Sequence, residues 1–476
     1  MNHILLIKMN RSFTHYIISE LIIKGALFIA LPLLTYFLSV DSYGRLSIIN
    51  SVFTILFVFA SLNLHTAISN SVMRGVEDIY SCFKSVILFL IPYHLIFISF
   101  SIIISFKYGY FNILETILIV ISCVFFSYVN TYLSILIAKK ESVKYSFIFS
   151  VSKLLEIALM FGFVFLSSHL KLDASLSKIT AQLLVFFLVL LCILFNEAHR
   201  ISKVVKADFN VESLKDALLF GVPLIIHVVS NALLAQSDRF FIDYYMSLRE
   251  VGIYSFSYNI GMIILVPIMA WQSSWQPRFF HHVKQNDVDE IRNVTTIMLE
   301  VITIVTIAVI AFSDVATYIL GDKDYYESIL YIPMLIASNA MIHFYLIYSN
   351  YSFYLKRSVM ISGLTLCSVI VNCVLNSIFI PKFGLFAAVV STYMSYVSLF
   401  ILHYLFSLRN EHELKVSVFD FSFTIPYIFL ITLFAIFVTA FNFTDLDVTY
   451  NLLIKLIVSS FLLRRVFVLR KRLMNQ

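Results

Sequence analysis

The chain has 476 residues and a net charge of +6 at pH 7, and hydrophobic residues make up 60% of it against 13% charged. Its mean hydropathy is +0.91, whereas soluble domains carry about 25% charged and about 45–50% apolar residues. This composition excludes a soluble enzyme, a secreted disulfide scaffold, a disordered protein and a nucleic-acid-binding protein. It is typical of a chain embedded in a lipid bilayer.

Motifs for metal and nucleotide sites are missing from the sequence. The five Cys residues form no CxxC pair, the 12 His residues form no HExxH, and no G-x-x-x-x-G-K-[ST] phosphate loop occurs. We therefore expect no structural metal, no ATPase activity and no resident cofactor. The apolar stretch at about 16–40 is too long for the core of a cleavable signal peptide.

Apolar runs predict 14 membrane-spanning helices, because a helix needs about 20 apolar residues to cross about 30 Å of hydrocarbon. In chain order these helices cover residues 15–40, 45–70, 83–106, 113–138, 145–168, 174–196, 214–237, 250–275, 292–313, 328–350, 358–380, 384–407, 421–441 and 448–468. The runs are continuous and about twice as long as a spanning β-strand. The predicted fold class is all-α, a polytopic membrane protein with about 14 transmembrane helices.

The distribution of Lys and Arg predicts the orientation. An even number of helices puts both termini on one side of the membrane, and that side carries roughly three times as many Lys and Arg residues as the other. We therefore expect a multi-pass protein of the bacterial cytoplasmic (inner) membrane with both termini in the cytoplasm. No extramembrane segment is long enough to form a catalytic domain, so the chain is predicted not to be an enzyme.

A linker and a weak repeat divide the chain. The longest extramembrane segment, about Glu197 to Val211, separates the first six helices from the remaining eight. The turn at Ser39–Ser47 recurs 208 positions later as Ser247–Ser255, with matching serines at both ends and a matching glycine. Repeated halves around a central site are a common plan of transporters.

Charged residues inside two predicted spans are candidates for a functional site. Glu20 and Lys24 lie four residues apart in predicted helix 1, and Lys153 and Glu156 lie three apart in predicted helix 5. Each charge costs about 2.5–3.5 kcal/mol on insertion scales and persists where it faces the bundle interior or an aqueous cavity. Each pair is either a self-neutralising structural pair or part of a cavity lining.

Predicted helix 7 carries the most unusual polar residues. His227, Asn231 and Asp238 lie on one face, and Arg239 points about a third of a turn away, toward another helix or the outer interface. Interhelical packing bonds remain an alternative, at about 0.6 kcal/mol each.

Three further helices carry similar stripes. Polar residues recur on single faces of predicted helices 8, 10 and 11. They are Tyr254, Tyr258 and Gln272 on helix 8, Asn339, His343 and Asn350 on helix 10, and Thr365, Ser368, Asn372 and Asn376 on helix 11. Together with the charged pairs they predict a wet cavity. Amides and aromatic rings suit sugars, buried cations attract phosphate, and buried carboxylates provide a route for proton or sodium coupling.

Short motifs of the second half resemble a known family. Their order is F-G-x-P at 220–223, D-R-F-x-I at 238–242, V-G-x-Y at 251–254, W-x-P at 275–277 and F-G at 383–384. This series resembles the bacterial polysaccharide (O-antigen or capsule repeat-unit) flippases of the multidrug/oligosaccharidyl-lipid/polysaccharide exporter superfamily. The resemblance implies two pseudo-symmetric six-helix lobes, here 1–196 and 214–407, joined by a cytoplasmic linker at 197–213. Residues 408–476 would then supply an appended helix pair, 13 and 14, and a basic cytoplasmic tail.

The resemblance also implies a function. A flippase of this family moves undecaprenyl-pyrophosphate-linked oligosaccharides from the cytoplasmic to the periplasmic leaflet by alternating access, for O-antigen, lipopolysaccharide or another surface polymer. Its expected partners are that glycan lipid, membrane lipids, a polysaccharide polymerase and a chain-length regulator, but no nucleic acid. The motif match carries a substrate role onto Asp238 and Arg239. The alternatives are an ion-coupled multidrug exporter of the same superfamily and a repeat-unit polymerase.

Overall fold

A computed structural model of the chain describes residues 25, 28–71, 78–170, 173–414, 416–444 and 455–467. Within these residues the secondary structure is helical and contains no strand. In this described part of the chain, twelve helices are long and apolar enough to cross a membrane, and a shorter apolar helix covers Phe28–Phe37. The predicted class, an all-α polytopic membrane protein, is confirmed.

The chain divides into two compact units, residues 1–233 and 234–476, and the division falls within a helix. The helices up to that division are α1 (Phe28–Phe37), α2 (Val40–Ser61), α3 (Leu64–Ser71), α4 (Ile79–Tyr108), α5 (Ile113–Ala138), α6 (Ser142–Leu170), α7 (Ser177–Asn196), α8 (Ala198–Lys206) and α9 (Val211–Tyr245). The predicted lobe boundaries at 196, 214 and 408 stay a prediction.

The second unit continues with shorter helices interleaved among long ones. They are α10 (Leu248–Gly261), α11 (Leu265–Gln285), α12 (Val288–Ala311), α13 (Ser313–Leu320), α14 (Ile332–Tyr354), α15 (Ser358–Phe383), α16 (Leu385–Arg409), α17 (Glu411–Leu414), α18 (Ile425–Asn442) and α19 (455–467). The twelve spans correspond to predicted helices 2 to 13. Predicted helices 1 and 14 fall partly on residues outside the described ranges.

Aromatic side chains form the core of the first unit. Phe186 of α7 stacks on Phe53 of α2 and on Phe126 of α5, and the Phe126 and Phe186 ring centroids are 4.6 Å apart. In the first turn of α5, Glu115 forms a bidentate ion pair with Arg45. The shorter of the two contacts, between an Arg45 terminal nitrogen and Glu115 Oε2, is 2.7 Å. Glu115 is 2% exposed, so this ion pair belongs to the packed interior of the unit.

The second unit is organised around α14. Nearly every residue of this helix is buried, its polar residues Asn339, His343 and Asn350 included, as expected for a helix surrounded by other helices. Helices α10, α11, α12, α15, α16 and α18 pack against it. The polar residues on its neighbours are therefore held inside the bundle.

The repeated turn of the sequence has the same structural role in both units. Ser39 and Ser247 each precede a helix, and their side chains accept hydrogen bonds from the backbone N–H groups of Ser42 and Arg249. An N-terminal cap of this kind stabilises a helix by about 1 kcal/mol. The turn between α15 and α16 depends on Gly384, whose φ of +62° and ψ of −146° are accessible only to glycine.

The segment between α7 and α9 is tied to the first unit by several polar contacts. Lys84 of α4 donates to the carbonyl oxygens of Val205 and Ala207 at 2.8 and 2.7 Å. Arg200 of α8 pairs with Glu141 and Glu197. Burial opposes ionisation of Glu197, but the hydrogen bond from Lys144 and the charge of Arg200 outweigh it and lower the pKa of that carboxyl.

Candidate functional site

Asp238 lies at the centre of a buried hydrogen-bond cluster. Its Oδ1 accepts from the side-chain amides of Asn372 at 2.9 Å and Asn376 at 2.6 Å. Its Oδ2 accepts from the hydroxyls of Tyr254 at 2.5 Å and Thr392 at 2.9 Å. Asp238 has no exposed surface in this structure. Four neutral donors from three other helices surround its carboxylate.

The helices that meet at this cluster are α9, α10, α15 and α16. Ser237 of α9 extends it by donating to Asn372 Oδ1 at 2.8 Å, and Asn376 donates to the same oxygen at 3.0 Å. The second amide oxygen, Asn376 Oδ1, is buried and has no hydrogen-bond partner within the described residues. With this unpaired oxygen beside the buried carboxylate, the cluster has more acceptor oxygens than donors to satisfy them.

Arg239 is buried beside the cluster and faces α10. Its Nε donates to Ser255 Oγ at 3.0 Å and one terminal nitrogen donates to the Ala235 carbonyl at 2.9 Å. The guanidinium lies over the rings of Tyr258 and Tyr254, 5.0 and 5.8 Å from their centroids. Arg239 thus points toward another helix, which is one of the two orientations predicted from the sequence.

The residues of the predicted stripe His227, Asn231 and Asp238 have different hydrogen-bond partners. Asn231 Nδ2 lies 3.2 Å from His227 Nε2, and this pair belongs to the first unit on the more exposed part of α9. Asp238 is turned into the second unit and bonded to α15 and α16. That the three residues line one cavity stays a prediction.

A second polar group lies between α11 and α14. Gln272 Nε2 donates to Asn350 Oδ1 at 2.6 Å. His343 is buried, and its Nε2 has no partner within the described residues. Asn339 instead donates to the Leu335 carbonyl of its own helix at 2.9 Å, so it contributes less to this group than the stripe predicted.

The charged pair of predicted helix 5 is present in the first unit. Lys153 Nζ lies 2.7 Å from Glu156 Oε2, and Gln182 of α7 donates to Glu156 Oε1 at 2.9 Å. Glu156 is buried while Lys153 remains a quarter exposed. Both predicted roles, a self-neutralising pair and a cavity cation, are compatible with this exposure. Glu20 and Lys24 lie outside the described residues.

Several residues of these clusters were missed from the sequence. Thr392, Ser255 and Ser237 lie among other hydroxyl-bearing residues of their helices, and no pattern distinguishes them from packing residues. Trp271 could have been predicted to accompany Trp275, because the two are four residues apart and therefore lie on one face of α11.

The chemistry of the Asp238 cluster suits a proton or a small hard cation. Carboxylate, amide and hydroxyl oxygens are ligands of such cations, and a buried carboxylate can also take up a proton. Within the described residues no group of three or more His, Cys, Asp or Glu side chains is arranged to hold a metal ion. Any cation bound here would therefore depend on neutral oxygens in addition to Asp238.

Comparisons with known proteins agree with this architecture. Residues 10–283 match a family model described as polysaccharide biosynthesis protein. A protein of the Lsg locus of Haemophilus influenzae is 25% identical over 374 residues, which cover 75% of this chain and 87% of that protein.

Two solved structures share the fold. The lipid II flippase MurJ, in an inward closed conformation, has a TM-score of 0.68 at 15% identity, covering 96% of this chain and 99% of that one. An inward-facing multidrug resistance MATE family transporter of the MOP superfamily has a TM-score of 0.60 at 13% identity, covering 85% and 99%. The family match and the shared fold confirm the resemblance detected in the motifs.

Proposed function

The chain belongs to the polysaccharide biosynthesis protein family, and from this premise we propose that it is a flippase for lipid-linked glycans. It would move undecaprenyl-pyrophosphate-linked oligosaccharide repeat units from the cytoplasmic to the periplasmic leaflet by alternating access. The observation that carries the proposal is the Asp238 cluster, a fully buried carboxylate with amide and hydroxyl partners inside a bundle of apolar helices. An ionisable group at membrane depth is costly and is by default a functional residue.

The relatives support a lipid-linked substrate. The family description places this chain in polysaccharide biosynthesis, and the fold extends over 96% of the chain to a protein named as a lipid II flippase. The chain therefore combines a polysaccharide family with the fold of a lipid-linked-sugar flippase. O-antigen or another surface polysaccharide would be the final product, with a polymerase and a chain-length regulator acting on the translocated units.

Coupling of transport to an ion would occur at Asp238. Its carboxylate is held by neutral donors, so binding a proton or a sodium ion would neutralise a buried charge and change which donors it satisfies. The unpartnered Asn376 Oδ1 supplies a further oxygen to a sodium ion. Lys153 and Glu156, and the undescribed Lys24 and Glu20, would contact the charged part of the substrate in the first unit.

The protein would lie in the bacterial inner membrane with both termini in the cytoplasm. Under this orientation α8, with Lys203 and Lys206 in its last turn, lies on the cytoplasmic surface where its cations face anionic headgroups. The basic segments of the chain would then remain on the side where lipid-linked repeat units are made.

Inverted membrane vesicles test this proposal. Vesicles from a host strain that lacks the gene would carry lipid-linked glycan in the leaflet that faces the medium. We expect added wild-type protein to protect this glycan from periodate, which does not cross the membrane, and we expect dissipation of both proton and sodium gradients to abolish the protection. Unchanged oxidation with active uptake of a cationic dye would instead support drug export.

A further inference from the structure

A small cavity between α11, α12 and α14 is separate from the Asp238 cluster. Its volume is about 10 Å³, and its polar wall consists of Gln272, His343, Asn350 and Thr295, with Trp271 and Trp275 on the aromatic side. A space of about 10–15 Å³ holds one water molecule or one hydroxyl group. The cavity is therefore of a size to admit a single polar atom from a larger ligand.

The aromatic side of the cavity is formed by the only two tryptophans of the chain. Their rings stack with centroids 5.7 Å apart and an interplanar angle of 17°. Trp275 is 5% exposed, whereas Trp271 and Gln272 are half-buried. The Trp271 indole and the Gln272 amide are thus the more exposed part of the lining, beside a space that holds one hydroxyl group.

The polar side of the cavity has one group that points to a ligand. His343 is 3% exposed, and its Nε2 has no hydrogen-bond partner among the described residues. A buried polar atom without a partner is destabilising, and a hydroxyl of a ligand would supply the missing hydrogen bond. Gln272 and Asn350 satisfy each other through donor–acceptor distances of 2.6 and 3.4 Å, and the longer of these bonds is readily exchanged for one to a ligand.

The chemistry of the lining selects the class of ligand. Among the described residues no Asp, Glu, Lys or Arg side chain lines the cavity, so a phosphate group would find no counter-charge here. Amides and an imidazole exchange hydrogen bonds with hydroxyls as both donors and acceptors. A flat indole face packs against the C–H groups on one face of a sugar ring, and pockets of this kind bind neutral ligands through a few placed polar groups.

We propose that this cavity is a sugar-binding subsite for the neutral glycan part of the substrate. One sugar ring would pack on the exposed face of Trp271, and one of its hydroxyls would enter the cavity and bond to His343 Nε2 and Gln272. This inference rests on the proposed function, because it assumes that the transported molecule carries a glycan. It assigns glycan recognition to α11 and α14, apart from the ion coupling at Asp238.

Tryptophan fluorescence tests the subsite directly, because the protein has no tryptophan elsewhere. The probe is the water-soluble glycan released by mild acid from lipid-linked material of a host strain lacking the gene, so neither pyrophosphate nor lipid contributes to binding. We expect a saturable fluorescence change with the purified full-length protein. Gln272→Ala should weaken this binding about tenfold, the equivalent of one net hydrogen bond.

Matched variants separate recognition from folding. Gln276→Ala removes the same side chain from the same helix outside the cavity lining and should bind as the wild type does. Trp271→Ala should lose the glycan-dependent change while Trp275 continues to report on the folded state. Equal affinity of Gln272→Ala and the wild type would overturn the subsite.

The same preparation distinguishes the two proposals. A flat titration with glycan that did accumulate in the deletion strain would overturn the subsite alone and leave the flippase function standing. If no lipid-linked glycan accumulated in that strain, the proposed function would fail, and the subsite with it.

Discussion

Replacing Asp238 separates its structural contribution from its role in coupling. In Asp238→Ala the hydroxyls of Tyr254 and Thr392, 2.9 Å apart, can still bond to each other. The amides of Asn372 and Asn376 each lose an acceptor in a fully buried site. At about 1–3 kcal/mol for each unsatisfied group, the free energy of unfolding should fall by about 2–6 kcal/mol.

Asp238→Asn should behave differently, because both amides donate to the same oxygen of Asp238. An asparagine oxygen can take that position, and its NH₂ group can donate to the hydroxyls of Tyr254 and Thr392 in place of Oδ2. Every contact is retained and only the charge is lost, so the free energy of unfolding should change by on the order of 1 kcal/mol. Transport should nevertheless fall at least about tenfold, because the carboxylate can no longer bind a proton or a cation.

Thermal unfolding in detergent and the vesicle protection assay measure these two quantities on the same preparations. Asp216→Asn is the matched control, since Asp216 lies on the same helix α9 with its side chain exposed, and it should leave both unchanged. A wild-type transport rate in Asp238→Asn would refute the coupling role. Equal destabilisation by asparagine and alanine would refute the hydrogen-bond reasoning.

Three further substitutions test the packing and the orientation. Gly221→Ala should lower the unfolding free energy by about 1–3 kcal/mol in detergent melts, because an added Cβ would lie 2.8 Å from the Leu62 carbonyl oxygen. Gly162→Ala is the control and should leave it unchanged, because no heavy atom of the described residues lies within 4 Å of its added Cβ. Glu115→Gln should lower the unfolding free energy by about 1–3 kcal/mol in the same measurement, since it leaves a partly buried arginine without its bidentate carboxylate. An unchanged unfolding free energy would mean that the pair is solvated. Ser202→Cys should react with an impermeant thiol reagent only from the cytoplasmic side, and labelling in intact cells would reverse the proposed orientation.

Most of the helical architecture could be predicted because the length of an apolar run determines whether it can span a membrane. The predicted spans 113–138 and 174–196 coincide with Ile113–Ala138 and Ala174–Asn196. The span predicted at 250–275 instead continues to Gln285, because the polar residues that follow Trp275 still have helical hydrogen bonds available. Polarity thus marks the end of the apolar run and not the end of the helix.

The site was predicted less completely than the fold. Periodicity placed Asp238 and Asn372 on polar faces of their helices, and the structure brings these two side chains together. The same periodicity could not identify Thr392 as a partner, since α16 carries several other hydroxyl residues and the pairing of α9 with α16 spans 154 positions of sequence. Which helices become neighbours depends on packing of the whole unit, which no local pattern encodes.

Deletion of the gene in its host, followed by fractionation of lipid-linked glycans, tests the flippase proposal most directly. The account predicts that undecaprenyl-linked repeat units accumulate on the cytoplasmic leaflet while the surface polymer is lost, and that the wild-type gene restores it. Single repeat units on the outer surface without longer chains would point to a polymerase. An unchanged glycan profile, with new sensitivity to cationic dyes, would contradict the account and favour drug export.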